Sequence, residues 1–405
     1  MTEDFKALLA DSAVAQLLAC LNGAGEETRI VGGAVRNLLL GMPIVDVDLA
    51  TTALPEQVIA RARHAALKIV PVGLEHGTVS LVVDGRLFEV TTLRRDIETD
   101  GRRAKVQFGR DFAADAARRD FTINALSLDI AGKVHDTQGG LEDLEARRVR
   151  FIGNPEQRIR EDYLRILRFF RFHASYGRGA PDTAGLAACL RQRFGLLGLS
   201  RERLRAEMLR LMMSAHVAPT LAVMSEIGII GLITGGIAYP QRLAALLALS
   251  PPGDALMRLA ASFVSVPEDA ARLYDRLRLS KHESERLARA AAVRVRLKSA
   301  RDRASRNQLR TLLFEFGQTS ALEGLALHDA ERGAGSQTEA RHFLQATVRP
   351  ELPVSGADVI SQSLLRGPAV GRVLKRFQAA WIRAGFPEDP AAVARILQQA
   401  ITAAK

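Results

Sequence analysis

Over roughly the first 150 residues, short apolar runs with period-two alternation are separated by polar and glycine-rich breaks. Beyond Pro155, apolar positions recur every three or four residues to the end of the chain. The alternating runs predict strands over Arg29 to Val31, Val45 to Ala50, Lys68 to Val72, Thr78 to Val83, Leu87 to Leu93 and Ala125 to Ile130, with helices over Ala34 to Leu40 and Pro55 to Ala65. The later pattern predicts helices only, broken at Ser250-Pro-Pro-Gly253, at Gly333 to Ser336 and at Arg349-Pro-Glu-Leu-Pro353. The expected fold class is α+β, with a mixed amino-terminal half and an all-α remainder.

One strand carries chemistry. In Val45-Asp-Val-Asp-Leu-Ala50 the two-residue period places Asp46 and Asp48 on one face, with Val45, Val47 and Leu49 packed behind. Two adjacent carboxylates suit Mg²⁺, which takes the rest of its shell from water and substrate phosphates. Asp-x-Asp on its own is common on solvated strand edges, but the neighbouring strand Arg86 to Leu93 adds Glu89 as a third acid for two-metal phosphoryl transfer. Upstream, Gly32-Gly33 opens the predicted helix and leaves backbone N–H groups free to meet phosphates.

The 405 residues suffice for two or three domains, and a 47% hydrophobic content allows ordinary cores. A net charge of +11 points to a polyanionic partner. The most apolar stretch, Ile227 to Ala238, is too short to span a bilayer, and the acidic start with Glu3, Asp4 and Asp11 is unlike a secretory or transit peptide. A cytoplasmic protein is expected. Cys20 and Cys189 are the two cysteines, which excludes a disulfide framework or a Cys-based zinc site. Gly-Lys-Ser/Thr and Gly-x-Gly-x-x-Gly loops are absent, and His328-Asp329, a fragment of a metal-phosphohydrolase pair, lacks further histidines to complete it. Between Arg272 and Arg310, thirteen Lys or Arg face four acids. This excess suits a phosphate backbone, and because aromatics make up only 5% of the chain, folded RNA fits better than stacked single strands.

A second constellation lies in Glu161-Asp162-Tyr-Leu-Arg165-Ile-Leu-Arg168-Phe-Phe-Arg171-Phe172. Helical spacing puts Asp162, Arg165 and Arg168 on one face with Glu161, Arg171 at its border, and Tyr163, Leu167 and Phe170 toward the core. Such rows are usually surface ion pairs worth tenths of a kcal/mol. Beside a nucleotide site they gain another use. A carboxylate accepts from an exocyclic amino group while a guanidinium donates to a ring acceptor, an order that cytosine and adenine match and that uracil and guanine reverse.

These residues, in this order, resemble the class II tRNA nucleotidyltransferase and bacterial poly(A) polymerase family. The resemblance runs through Gly32-Gly-Ala-Val-Arg36 with Leu39-Leu-Gly41, Asp46-x-Asp48, Glu89-Val-Thr-Thr-Leu-Arg94, Asp100-Gly-Arg102, Arg118-Arg-Asp-Phe-Thr-Ile-Asn-Ala-Leu126 and Gly139-Gly140 with Asp143-Leu144. It continues through Glu161-Asp162, Ser200-Arg-Glu-Arg-Leu-Arg-Ala-Glu207, Pro353-Val-Ser-Gly-Ala-Asp358 and Gly367-Pro-Ala-Val-Gly371. It implies a polymerase-β-like nucleotidyltransferase head (1–150), a helical neck with a nucleotide-selecting helix (151–215), and a helical body and tail (216–405) that hold tRNA. By position, Asp46 and Asp48 would bind Mg²⁺ and Glu89 would complete the acidic set. Gly32, Gly33 and Arg36 would meet the triphosphate, and Arg119, Asp120 and Asn124 the phosphate and ribose. Asp162 and Arg165 would pair with the base, Arg168 and Arg171 would support it, and Glu207 would brace the helix. The implied activity is addition or repair of CCA at tRNA 3′ ends from CTP and ATP. RNA 3′-adenylation, or RNA binding by a degenerate head, are the alternatives. One departure stands out: the family usually has Asp where this chain has Asn37, so an ion pair to Arg36 is not assured.

Overall fold

The computed structural model describes residues 3–70, 77–100, 103–249, 253–298, 304–332, 338–363 and 365–403, with backbone alone for 95–100 and 103–106. They fall into two compact units, Met1–Ile233 and Thr234–Lys405. The expected ends of a strand at Val72, the Asp100-Gly-Arg102 motif and the breaks at 250–252 and 333–336 lie outside what is described.

In the first unit, α1 (Glu3–Ala10) and α2 (Ser12–Leu21) precede β1 (Thr28–Val31), α3 (Gly33–Leu39), β2 (Asp48–Thr51), α4 (Pro55–His64), β3 (Lys68–Val70), β4 (Thr78–Val83) and β5 (Arg86–Thr92). Then come β6 (Arg94–Asp100), β7 (Arg103–Phe108), α5 (Phe112–Ala117), β8 (Ser127–Leu128), β9 (Val134–His135) and α6 (Gly140–Glu145). Seven strands make one mixed sheet, ordered β3-β4-β5-β2-β1-β8-β9, and β6 pairs with β7 alone. β2 and β5 run parallel, and the other neighbours are antiparallel. Asp11 caps α2 by accepting from the Val14 N–H, and Pro55 opens α4. Both helices pack on the sheet and bury Leu17, Leu18, Leu21, Val58 and Ala62, while Ile30, Leu49, Leu81 and Val90 are buried in the strands. Each fully buried Leu or Ile contributes about 1.5–3 kcal/mol.

Helices follow: α7 (Pro155–Glu161), α8 (Leu164–Tyr176), α9 (Thr183–Gln192) and α10 (Arg201–Met212). Phe121, Phe151, Phe169 and Phe172 form one aromatic cluster, with ring centroids 4.9 Å apart for Phe121 and Phe151 and 5.2 Å for Phe121 and Phe172. This cluster fastens the segment after α5 to α8.

Three expectations need correction, and one hairpin was not anticipated. β2 starts at Asp48, not Val45: β1 stops at Val31, the partner of Asp48, before turning at Gly32, so nothing pairs with residues 45–47. Asp46 therefore sits in the loop ahead of the strand, and Val45, expected in the core, is 84% exposed. The Ala125 to Ile130 strand shrinks to Ser127–Leu128, flanked by a 3₁₀ turn over Thr122–Asn124 and by an Asp129 side chain that accepts from Ala131 and Lys133 N–H groups. The single helix expected over 161–172 is two, because Asp162 is extended (φ −156°, ψ 107°) and its side chain accepts from the Leu164 N–H at the start of α8. The β6–β7 hairpin had no alternation strong enough to announce it, although Asp100-Gly is a turn signal.

The second unit is helical throughout its described residues, as expected, from Pro240–Ala248 to Pro390–Thr402. One core gathers Leu297, Leu312, Leu325 and Leu344, another Val373, Phe377, Trp381 and Ile401. The cations of the 272–310 segment are partly neutralised by acids outside it. Arg272 pairs with Asp269, Arg286 with Asp254 and Glu323, Arg296 with Glu315, and both Arg294 and Lys298 with Glu331. These five acids reduce the local positive excess from about nine to about four, so much of the charge is structural. His328 and Asp329 are buried in this unit with Nδ1 and Oδ1 3.8 Å apart, and among the described residues no third ligand joins them.

Candidate active site

In the parallel register of β2 and β5, Asp48 lies directly beside Glu89. Both side chains leave one face of the sheet, while Leu49 and Val90 turn to the buried face. The Asp48 carboxylate opens onto solvent inside a cavity whose walls still desolvate it. That burial, then the Glu89 and Asp46 charges, push its carboxyl above the ordinary range, with Arg119 pulling the other way. Like charges in such a cluster favour a cation among them. No three of His, Cys, Asp or Glu converge into a ready-made cage among the described residues. Two aspartates that leave the remaining positions to phosphate oxygens fit a hard divalent ion.

Gly32 holds φ 68°, ψ −119° at the head of α3, and a Cβ there would lie 3.1 Å from Arg119 Nη1. Its N–H donates to the Leu126 carbonyl, tying α3 to the Asn124 turn. Arg36, 6% exposed, donates to Asn124 Oδ1 (2.5 Å), to the Tyr176 hydroxyl (2.7 Å) and to Asn37 Oδ1 (2.9 Å), and its guanidinium lies 4.0 Å from the Tyr176 ring centroid. Asn37 thus keeps the acceptor role usually filled by Asp, while its Nδ2 donates to the Pro43 carbonyl. Burial lowers the Arg36 pKa, with Tyr176 opposing and Arg171 adding to the shift, yet an arginine stays charged. Its side-chain hydrogen-bond partners, Asn37, Asn124 and Tyr176, are all neutral, and although the nearby Asp120 charge acts on it, the guanidinium can still meet an anion.

Asp120 is buried and accepts from Asn124 Nδ2 (3.0 Å), the Phe121 N–H (2.9 Å) and Arg168 Nε (2.7 Å). Burial pushes its carboxyl up, but Arg168 and the two donors outweigh burial and hold it below the usual carboxylate range. Arg119 pairs with Asp115 at 3.2 Å, and Arg118 with the same acid at 2.6 Å. On α8, Arg171 pairs with Glu207 of α10 at 2.6 Å, and Glu207 also accepts from Arg210. Arg165 is held by Glu161 and by the Arg158 carbonyl. Asp162 is held by Arg203 of α10 at 2.7 Å.

A cavity of about 860 Å³ brings all of these together. Its lining includes every residue expected from the sequence to meet metal, phosphate, ribose or base: Gly32, Gly33, Arg36, Asp46, Asp48, Glu89, Arg119, Asp120, Asn124, Asp162, Arg165, Arg168 and Arg171. It adds Asp115, Arg118, Arg203 and Arg210, which sequence reasoning had not assigned. Arg203 stood inside a motif named above, but its partner Asp162, 41 residues away, leaves no local signal. With nine arginines to six acids on the described wall, the cavity suits a polyphosphate.

A mixed sheet with twin carboxylates at its rim, opening into an arginine-lined cavity, defines a nucleotidyltransferase. A family model described as the poly A polymerase head domain matches residues 28–150. The mitochondrial CCA tRNA nucleotidyltransferase 1 of Mus musculus is 34% identical over 380 residues, covering 89% of this chain and 84% of that protein. The Oceanobacillus iheyensis CCA-adding enzyme is 42% identical over 207 residues, about half of each chain. The structure of the Bacillus stearothermophilus CCA-adding enzyme in complex with CTP superposes over 100% of this chain and 99% of its own, with TM-score 0.71 and 29% identity. The chain belongs to the tRNA nucleotidyltransferase and poly(A) polymerase family.

Proposed function

We infer that this protein adds or repairs the CCA terminus of tRNA, using CTP and ATP without a nucleic-acid template. The observation that carries the reading is the single cavity that places the Asp48 and Glu89 pair with Asp162 and Arg165. In this reading residues 1–150 form the catalytic head, 151–215 the nucleotide-selecting neck, and 216–405 the tRNA-holding body and tail. Two free cysteines suit a reducing, cytoplasmic setting.

When bound between Asp46 and Asp48, a divalent metal, Mg²⁺ in this reading, supplies Lewis-acid stabilisation of nucleotidyl transfer. Glu89 adds negative charge beside it. Arg36, backed by neutral partners, and Arg119 neutralise the phosphates, while Gly32 and Gly33 let the backbone approach them closely. Asp120 and Asn124, fixed to each other and to Arg168 and Arg36, set the ribose. Asp162 accepts from the exocyclic amino group of the incoming base and Arg165 donates to the neighbouring acceptor. UTP and GTP leave buried polar groups unpaired and are rejected. The test incubates the protein and Mg²⁺ with tRNA transcripts ending before the first C, after one C and after CC, with each nucleoside triphosphate alone or CTP and ATP together. Ordered addition of two C and one A is expected, whereas A tailing on every transcript would overturn the assignment.

A further inference from the structure

Asp162 sits at a corner, not on a helix, so its aim must come from outside the helix it precedes. Three contacts set that corner. Asp162 Oδ1 accepts from the Leu164 N–H (3.1 Å), Oδ2 accepts from Arg203 Nη2 (2.7 Å), and the Tyr163 ring packs against Gly195, where an added Cβ would come within 2.0 Å of Tyr163 Cδ1. Gly195 belongs to a 3₁₀ turn over Arg193–Gly198 and Arg203 to α10. Neither element supplies the carboxylate, yet both fix where it points.

We propose that Arg203 is a positioning residue for base selection: its guanidinium locks the Asp162 carboxylate in the orientation that accepts from the base, with Gly195 setting the height of the corner. This rests on the reading of Asp162 as the base acceptor. The physical argument is one of alternatives. Asp162 shares its wall with Arg165, Arg168 and Arg171, and its charge already acts on Arg168, so a carboxylate freed from Arg203 has other guanidinium groups to turn toward and away from a base. A recognition group keeps its productive geometry only while supporting contacts hold it. The half-buried ion pair, with the two side chains 22% and 21% exposed, is screened too little for water to take over its role.

Arg203→Met and Arg203→Lys are compared with Asp162→Ala and the double variant, measuring kcat and KM for each of the four nucleoside triphosphates on a tRNA ending in CC, with folding checked by thermal unfolding. Arg203→Met is expected to lower kcat/KM for ATP roughly tenfold while UTP and GTP fall less, so the preference narrows. Arg203→Lys restores part of it, and the double variant behaves as Asp162→Ala alone. An equal rise in KM for all four nucleotides would mean that Arg203 meets phosphate instead, and would overturn the proposal. An unchanged preference in Arg203→Met, with Asp162→Ala relaxed, would also overturn it while leaving the base-acceptor reading intact. An unchanged preference in Asp162→Ala would sink that reading itself. Gly195→Ala, at a residue outside the cavity lining, is expected to narrow the preference as Arg203→Met does.

Discussion

Asn37 works at the residue scale because an amide does two jobs. Its oxygen accepts from Arg36 while its nitrogen donates to the Pro43 carbonyl, a bond a carboxylate could not make. The missing charge is absorbed by a buried guanidinium that rests on aromatic rings and neutral acceptors. Two predictions belong here. Asp48→Ala is expected to cut nucleotide incorporation roughly 10³-fold or more with tRNA affinity nearly unchanged, seen by pairing single-turnover assays with gel-shift titration. Gly32→Ala forces a Cβ into φ 68° and against Arg119, so unfolding titrations should record a loss of about 1–3 kcal/mol.

At the element scale, α8 is where the site is assembled, since its arginines reach Asp120 before the 3₁₀ turn and Glu207 on α10. Removing Arg168 leaves Asp120 buried without the ion pair that holds it, and Arg168→Ala is expected to cost about 3 kcal/mol. The Asp120 carboxyl is depressed in the fold, so its stabilisation is present above the unfolded value near 3.9 and lost as pH falls through the folded one. Elements with strong periodicity were legible in sequence: the Thr78–Val83 strand, α4, and the uninterrupted helices after Pro155. What was not legible depended on partners. β2 was cut short because β1 ended, α7 and α8 separated because Asp162 found Leu164 and Arg203, and Asp46 left the strand for the same lack of a neighbour. The site residues themselves were legible because their chemistry is carried by type and order, whereas Arg203 and Asp115 needed three-dimensional proximity to be seen.

Charge acts at the scale of the whole molecule, and the second unit shows that counting it overstates what RNA can use. Lys281 is exposed, 3.9 Å from Glu285, whereas Arg294 is buried on Glu331 and the Ser265 carbonyl. In salt titrations of tRNA binding, Lys281→Ala is expected to lower the slope of log affinity against log salt by about 1. Arg294→Ala should leave that slope alone and instead destabilise the fold by about 3 kcal/mol. Acid sensitivity is a second global property. Burial, then the neighbouring His216 charge, depress the His173 imidazole, so the fold keeps it neutral. The associated stability is complete above the unfolded value near 6.5 and is lost as pH falls below it toward the folded value. Melting temperatures from pH 7.5 to 5 should fall for the parent and flatten in His173→Gln.

The side-by-side register of β2 and β5 also governs the quality of the molecules a cell makes. Slipping one strand by a single residue would turn Leu49 or Val90 outward and drive a carboxylate into the apolar layer under α2 and α4. Such a head would be too unstable to persist, so misassembly removes the enzyme from circulation and does not release a version that writes faulty tRNA ends.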